Sequence, residues 1–218
     1  MEKNVAILLA DLSGYSALTE VHGAASAANL IDRYIAIAKN CLVGDSRLHQ
    51  QTGDELMFLS DSPDAMLATA KRLATASAHE AYFLQVHGGL HYGKLLKRGA
   101  NYFGTALNLA ARIAAKAKAG SFYCSAEFAA CTTDQADGIF QSKGKYLLKN
   151  ISEEKELFEL NIANKNGNYI DPVCRMLILN PETAFRYPNK DHIYFCSSQC
   201  LEVYKAGQSL LQPIHALS

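Results

Sequence analysis

Two aspartates, an asparagine and an arginine stand where they could act together on a phosphate ester. Asp11 ends the apolar run Val5-Ala6-Ile7-Leu8-Leu9-Ala10 and is followed by Leu12-Ser13-Gly14-Tyr15-Ser16. Asp54 lies in Thr52-Gly53-Asp54-Glu55-Leu56. Each acid falls where a strand meets a turn, which fixes a carboxylate in space. A pair of carboxylates from neighbouring strands can hold two divalent cations about 3.5–4 Å apart. Mg²⁺ suits such sparse sites, with phosphate oxygens and water completing its shell. A glycine turn that opens a helix also presents backbone N–H groups to phosphate. In Gly104-Thr105-Ala106-Leu107-Asn108-Leu109-Ala110-Ala111-Arg112, Asn108 and Arg112 are four apart and share a helical face. Acids for metal, then an amide and a guanidinium for phosphate, are the parts of a phosphoryl-transfer site. Taken singly, Asp11 reads equally well as a helix cap and Asp54 as a hairpin-turn residue.

A second group could ligate a soft metal. Cys174, Cys196 and Cys200 have the spacing C-x21-C-x3-C. Cys196 and Cys200 sit one helical turn apart, and Cys174 at a strand turn could complete a three-thiolate cluster. Soft thiolates select Zn²⁺ or Cu⁺. A structural zinc site takes a fourth ligand, and His192 is the nearest candidate. The alternative is a metal-free module with reduced, buried thiols or a disulfide formed on handling. His22, His79, His87, His91 and His215 have no ligand spacing to one another and read as core or surface residues. Cys41, Cys124 and Cys131 lie among apolar neighbours and read as buried or half-buried inert thiols.

The elements that must position these groups follow from periodicity and turn residues. Residues 4–11 read as a buried strand. Residues 17–42 carry apolar side chains at helical spacing. His49 to Ser60 reads as strand–turn–strand about Thr52-Gly53-Asp54. Pro63 opens a helix over about 63–78 after Asp61 or Ser62 as cap. Tyr82 to His91 reads as a strand, with Gly93 to Lys97 as its partner. A third helix spans Gly104 to Lys118 and is stopped by Gly120. Then come a short strand at 122–125, a short helix at about 126–132, and a closing hairpin from 138–148 and 155–161. This order predicts an α+β domain with helices packed on an antiparallel-rich sheet. Composition changes after Leu160: Asn161 to Asn168 is polar and reads as a linker. The expected division is a main domain over 1–161, a linker over 162–168 and a small cysteine-bearing domain over 169–218. The last is too small for a sizeable core of its own and would gain from a metal or from docking on the main domain.

The bulk properties exclude several classes. The 218 residues carry 21 Lys plus Arg against 21 Asp plus Glu, a neutral balance. That gives no electrostatic case for broad nucleic-acid binding or an anionic membrane surface. No apolar run approaches a membrane span, and the N-terminal run is too short for a secretory core. A cytoplasmic location is the expectation.

Four motifs resemble those of the class III nucleotidyl cyclases, the adenylate and guanylate cyclase catalytic domains. They are Ala10-Asp11-Leu12-Ser13-Gly14-Tyr15-Ser16, Gly53-Asp54-Glu55, His87-Gly88-Gly89-Leu90-His91-Tyr92-Gly93, and Asn101 to Arg112. The resemblance covers about residues 3–161. It implies a ferredoxin-like core working as a head-to-tail homodimer on a nucleoside triphosphate. Asp11 and Asp54, with the Leu12 backbone carbonyl, would bind two Mg²⁺ or Mn²⁺. Ser13, Gly14, Tyr15 and Ser16 would cradle the triphosphate. Asn108 and Arg112 would come from the partner chain to orient the ribose and to stabilise charge on the α-phosphate. Lys149 stands where the family often has a triphosphate-binding lysine, and reads equally as a solvated hairpin lysine. Gln50 and Asn101 occupy the base-selecting positions, where adenine-specific members carry lysine and aspartate or threonine. A carboxamide both donates and accepts, so the base is left open, with ATP favoured by the family at large. The reaction implied is conversion to the 3′,5′-cyclic nucleotide and pyrophosphate. The alternative is an inactive pseudo-cyclase serving as a regulatory scaffold.

The tail resembles the YHS domain, a small metal-binding module of the treble-clef-like TRASH group. Asp171-Pro172-Val173-Cys174-Arg175-Met176 and Tyr194-Phe195-Cys196-Ser197-Ser198-Gln199-Cys200 carry that resemblance, with Arg175 where the family usually has Gly. It implies Zn²⁺ or Cu⁺ at the three cysteines.

Overall fold

The computed structural model describes residues 2–133, 138–162, 169–188 and 192–211, with side chains as far as 207. In chain order the elements are β1 (Glu2–Ser13), α1 (Tyr15–Asn40), β2 (Arg47–Thr52), β3 (Glu55–Ser60), α2 (Pro63–Ala78), β4 (Gln85–Arg98), β5 (Asn101–Phe103) and α3 (Thr105–Ala114). Then follow β6 (Phe122–Ser125), α4 (Ala126–Ala130), β7 (Phe140–Leu147) and β8 (Glu154–Leu160). The C-terminal part holds β9 (Tyr169–Ile170), β10 (Leu177–Ile178), β11 (Phe185–Arg186), β12 (Tyr194–Phe195) and α5 (Ser198–Leu211).

β1 is apolar on both faces because it is covered on both. Ala6, Leu8, Ala10 and Leu12 point into one layer with α1 and α2, against Leu18, Leu30, Tyr34, Met66 and Leu73. Val5, Ile7 and Leu9 point into the other layer, against Ala106, Ala110 and Ala114 of α3. The period of two in a strand sorts these residues without further instruction. The sheet has eight strands in the order β2-β3-β1-β4-β6-β8-β7, with β5 paired to β4. β4 and β6 run parallel, and the other pairs are antiparallel. This is a mixed α/β fold.

Three expectations are corrected. Gly93 to Lys97 does not fold back on Tyr82 to His91. It continues β4, and Gly93 pairs with Val5 and Leu96 with Glu2. Gly93 serves there by close approach, since a Cβ would lie 2.7 Å from the His91 ring and 2.9 Å from Ala106 Cβ. The hairpin partner of β4 is β5, through Leu96 and Phe103. The third helix is shorter than its apolar pattern, ending at Ala114. The Ala-rich tail at 115–119 carries turns instead of a further helical turn. Cys131 is exposed, whereas Cys41 and Cys124 are buried. Of the expected linker, residues 163–168 lie outside the described residues, as does His215.

The C-terminal unit is two short hairpins and a helix, with β9 paired to β10 and β11 to β12. Its buried cluster is Cys174, Phe195 and Cys200, with Val21 of α1 packed against it. Among the described residues, no helix is long and apolar enough to cross a membrane.

Candidate functional site: an acid pair and a thiol–imidazole cluster

Asp11 sits near the end of β1, opposite His87 on β4. It follows Leu9 by two residues and so shares the sheet face that carries α3. Asp54 sits in the two-residue turn between β2 and β3, with Gly53 at φ 61. A left-handed first turn residue favours glycine, which leaves the next position for the acid. The β1–β3 pairing runs to Ala10 opposite Leu56, which brings the turn alongside the end of β1. The two carboxyl groups lie close enough for each to shift the other's titration. Burial raises the pKa of Asp11, and Glu55 adds to the rise. Burial, then the charge of Asp11, pushes Asp54 up to about 6. Glu55 is also raised, by burial and by Asp54. The nearby imidazole relieves little of this, because burial depresses the His87 pKa. Its Nδ1 is 2.9 Å from Ser13 Oγ. Two half-buried carboxyls, both with pKa raised by burial, are a donor set whose charge a divalent cation would offset. On that ground the residues fit a Mg²⁺- or Mn²⁺-type ion.

The turn after Asp11 leads directly into α1. Gly14 caps the helix at φ 97 with no side-chain cap, so the first N–H groups of α1 are left for other partners. Leu12 is buried in the core, and Ser13, Gly14 and Tyr15 are half-buried beside it, with Ser16 exposed.

Asn108 and Arg112 lie elsewhere in the subunit. The buried positions of α3 are Ala106, Leu109, Ala110, Ile113 and Ala114. Asn108 is therefore exposed and Arg112 half-buried, on the face turned from the core. Neither makes an ion pair with another described residue. Leu148 packs with Leu109 and Ile113, which sets exposed Lys149 beside the same helix. The fit of α3 on β4 depends on Gly89, where a Cβ would meet Ala114 N at 2.2 Å and Ala110 O at 2.5 Å. Gln50 and Asn101 are both exposed, and the His49 ring beside Gln50 packs edge-on against Tyr102 beside Asn101 at 5.0 Å.

The thiol cluster contains a residue that spacing did not disclose. His22 on α1 joins Cys174, Cys196 and Cys200, with all four ligand atoms within 4.8 Å of one another. The Cys174 and Cys196 sulfurs are 3.4 Å apart, and those of Cys196 and Cys200 are 3.6 Å apart. His22 Nε2 is 3.5 Å from Cys196 Sγ and 3.4 Å from Cys200 Sγ. In a tetrahedral zinc site with usual bond lengths, these edges are about 3.6–3.8 Å. The donor set and its spacing thus fit a metal ion. The expectation that His22 is a plain core or surface residue is corrected, and His192, exposed in a turn, is not in the cluster. No sequence signal pairs a histidine at 22 with cysteines beyond 170; only chain folding does. Hydrogen bonds from Cys174 and then Cys196 hold the Cys200 thiol well below its usual pKa, the thiolate form that metals take.

Asp171 organises the cluster from beneath. It is fully buried. Its Oδ1 accepts from the Val173 N–H at 2.8 Å and the Cys174 N–H at 3.2 Å, and its Oδ2 from the Cys196 N–H at 2.8 Å. One carboxylate thus ties both cysteine loops. The opening Asp of the motif carried this signal in the sequence, with no role attached to it.

No known family model matches the chain. The chain is 35% identical over 119 residues to the uncharacterized protein Rv2212 of Mycobacterium tuberculosis, covering 54% of this chain and 32% of that protein. It is 32% identical over 117 residues to an adenylate cyclase of Glutamicibacter nicotianae, covering 53% and 29%. The chain thus spans about a third of the length of these curated relatives. Among solved structures, the adenylate/guanylate cyclase/hydrolase of Silicibacter pomeroyi superposes with a TM-score of 0.59 at 26% identity, over 73% of this chain and 97% of that one. The adenylyl cyclase CyaB of Pseudomonas aeruginosa gives 0.64 at 17% identity, over 76% and 97%. The main unit therefore has the class III nucleotidyl cyclase fold. Attached to it is a cysteine–histidine cluster capable of binding a metal ion.

Proposed function

We propose that the chain is a class III nucleotidyl cyclase that converts a nucleoside triphosphate, ATP in the first place, to the 3′,5′-cyclic nucleotide and pyrophosphate at a homodimer interface. The observation that carries this reading is the convergence of Asp11 and Asp54, at the end of β1 and in the turn beside it, on a helix start whose first N–H groups have no side-chain cap, within a cyclase fold. Two Mg²⁺ or Mn²⁺ ions, held by Asp11, Asp54 and the Leu12 carbonyl, would supply Lewis acidity to the ribose hydroxyl and the phosphates.

The chain's own groups do the rest. Residues 12–16 bind the triphosphate through backbone N–H groups, and Lys149 adds a positive charge to it. Asn108 orients the ribose so that its 3′-oxygen lies in line with the α-phosphorus. Arg112 presents a fixed fork of donors to the charge that builds on the α-phosphate as pyrophosphate leaves. Asp11 on β1 and Arg112 on the outer face of α3 complete one site when two subunits meet head to tail, so a twofold dimer carries two equivalent sites. Gln50 and Asn101, both exposed, read the base through carboxamides. The C-terminal unit is read as a YHS-like, treble-clef-like module, supported by its paired short hairpins and by ligands placed in the turn after β9, beside β12 and in the first turn of α5.

The test is purified protein with each of the four nucleoside triphosphates and Mn²⁺, read by mass spectrometry. Cyclic AMP with equimolar pyrophosphate is expected, absent in Asp54→Ala. No cyclic product from any of the four would leave the chain as an inactive scaffold.

A further inference from the structure

The C-terminal unit rests on the main unit along the first turns of α1 and along the segment that leads into β4. Gln199 Nε2 donates to the Val21 carbonyl at 2.7 Å. That carbonyl precedes Gly23, whose φ 79 and ψ 168 interrupt the helix. The helical ladder is broken there, and the C-terminal unit takes up what it leaves. His22, between Val21 and Gly23, turns its Nε2 into the thiol cluster. The segment after Cys174 runs along residues 82–84: the Tyr82 N–H donates to the Leu177 carbonyl at 3.2 Å, the Leu177 N–H donates to the Phe83 carbonyl at 2.6 Å, and Met176 bridges to Leu84.

Between these contacts lies Arg175, adjacent in sequence to a cluster ligand. Its backbone is at φ 68, a left-handed conformation that a non-glycine residue adopts at a cost. A Cβ on Gly14 would lie 2.5 Å from both Cβ and Cγ of Arg175. The arginine stem therefore packs on the helix-start glycine, a contact open only to glycine. The residue as a whole is exposed, and it makes no ion pair with another described residue. The stem of a cationic side chain, adjacent in sequence to a cluster ligand, thus lies against the glycine that opens a helix with no side-chain cap.

We propose that Cys174, Cys196, Cys200 and His22 form one tetrahedral zinc site that fastens the C-terminal unit to α1 and holds Arg175 over the phosphate loop, so that zinc occupancy sets triphosphate affinity. Four ligands of S₃N type at tetrahedral spacing select Zn²⁺. Because one ligand comes from α1, losing the ion frees the C-terminal unit from the helix as well as loosening its own loops. The phosphate part rests on the cyclase reading; the zinc link does not.

The experiment uses the full chain. Elemental analysis is expected to give one zinc per chain. Competition against a chromophoric chelator should show His22→Ala weakening zinc at least about tenfold, with His22→Cys restoring it. The cobalt-substituted protein should lose its tetrahedral absorption in His22→Ala alone. Amide exchange over residues 14–24 should rise when zinc is removed. Inorganic tripolyphosphate should bind the zinc-loaded wild type about tenfold more tightly than zinc-loaded Arg175→Ala. Unchanged zinc affinity and cobalt spectrum in His22→Ala would overturn the cross-unit site. Equal tripolyphosphate binding by wild type and Arg175→Ala would overturn the phosphate part. A chain that needs His22 for zinc but forms no cyclic nucleotide supports the link and removes the cyclase reading.

Discussion

Asp11 on β1 and Asp54 in the turn before β3 stand beside strand residues Leu8, Leu9, Leu56 and Phe58, which are at most 4% exposed. Cys174, Cys196 and Cys200 are held by two-residue strands and one helix end, with Phe195 as the large apolar side chain fully buried among them. The first site is rigid because an eight-stranded sheet with both faces covered is rigid beneath it. The second has too little apolar area to impose a geometry. It uses a buried carboxylate for its loops and a histidine borrowed from the larger unit. On the readings proposed above, the acid site would keep its shape without ions, whereas the thiol site would join metal binding to folding.

The sharpest test of that contrast removes one acid. Asp54→Ala should cut nucleotide turnover by at least about 10³-fold without unfolding the sheet. Mixing it with Arg112→Ala, inactive alone, should restore about a quarter of wild-type turnover, because half the dimers then hold one intact site of two. No recovery on mixing would break the proposal that the acids and the arginine come from different subunits.

The next largest effect is expected at Gly89. Gly89→Ala drives a methyl into the α3 backbone and should cost about 3 kcal/mol in urea unfolding of the sheet unit. A negligible loss would show that α3 is free to shift on β4. Smaller again is Asp171→Ala, which strands three N–H groups and should cost about 2 kcal/mol, read as faster amide exchange confined to residues 171–204. Exchange that spreads into β1 and β4 would erase the distinction between the two regions.

The smallest effect is one of pH. The folded pKa of Asp54, about 6, is raised above its unfolded value. Its contribution to stability is then complete below the unfolded pKa of about 3.9 and is lost as pH rises through about 6. Metal-free protein should lose thermal stability between about pH 4 and 6.5, and Mg²⁺ added at neutral pH should return it, as followed by calorimetry. A transition flat across that window would mean the two carboxyls do not repel one another.

Short-range patterns in the chain were enough to place most elements and the acid pair in outline. An apolar run ending on Asp11, Gly53 before Asp54, and Asn108 four residues before Arg112 are all local features, and local periodicity controls strands, turns and helix faces. Pro63 after Ser62 marked α2 for the same reason, and the helix spans Pro63–Ala78 with Ser62 as its cap. Local pattern failed at Gly93, because a glycine in a strand and a glycine in a turn look alike until a helix packs against it. It failed again at His22. A lone histidine on a helix joins a thiol cluster whose cysteines lie more than 150 residues away, and no periodicity spans that distance. The folded chain alone decided that contact, along with the meeting of Arg175 and Gly14, because both depend on how one packed unit settles against another.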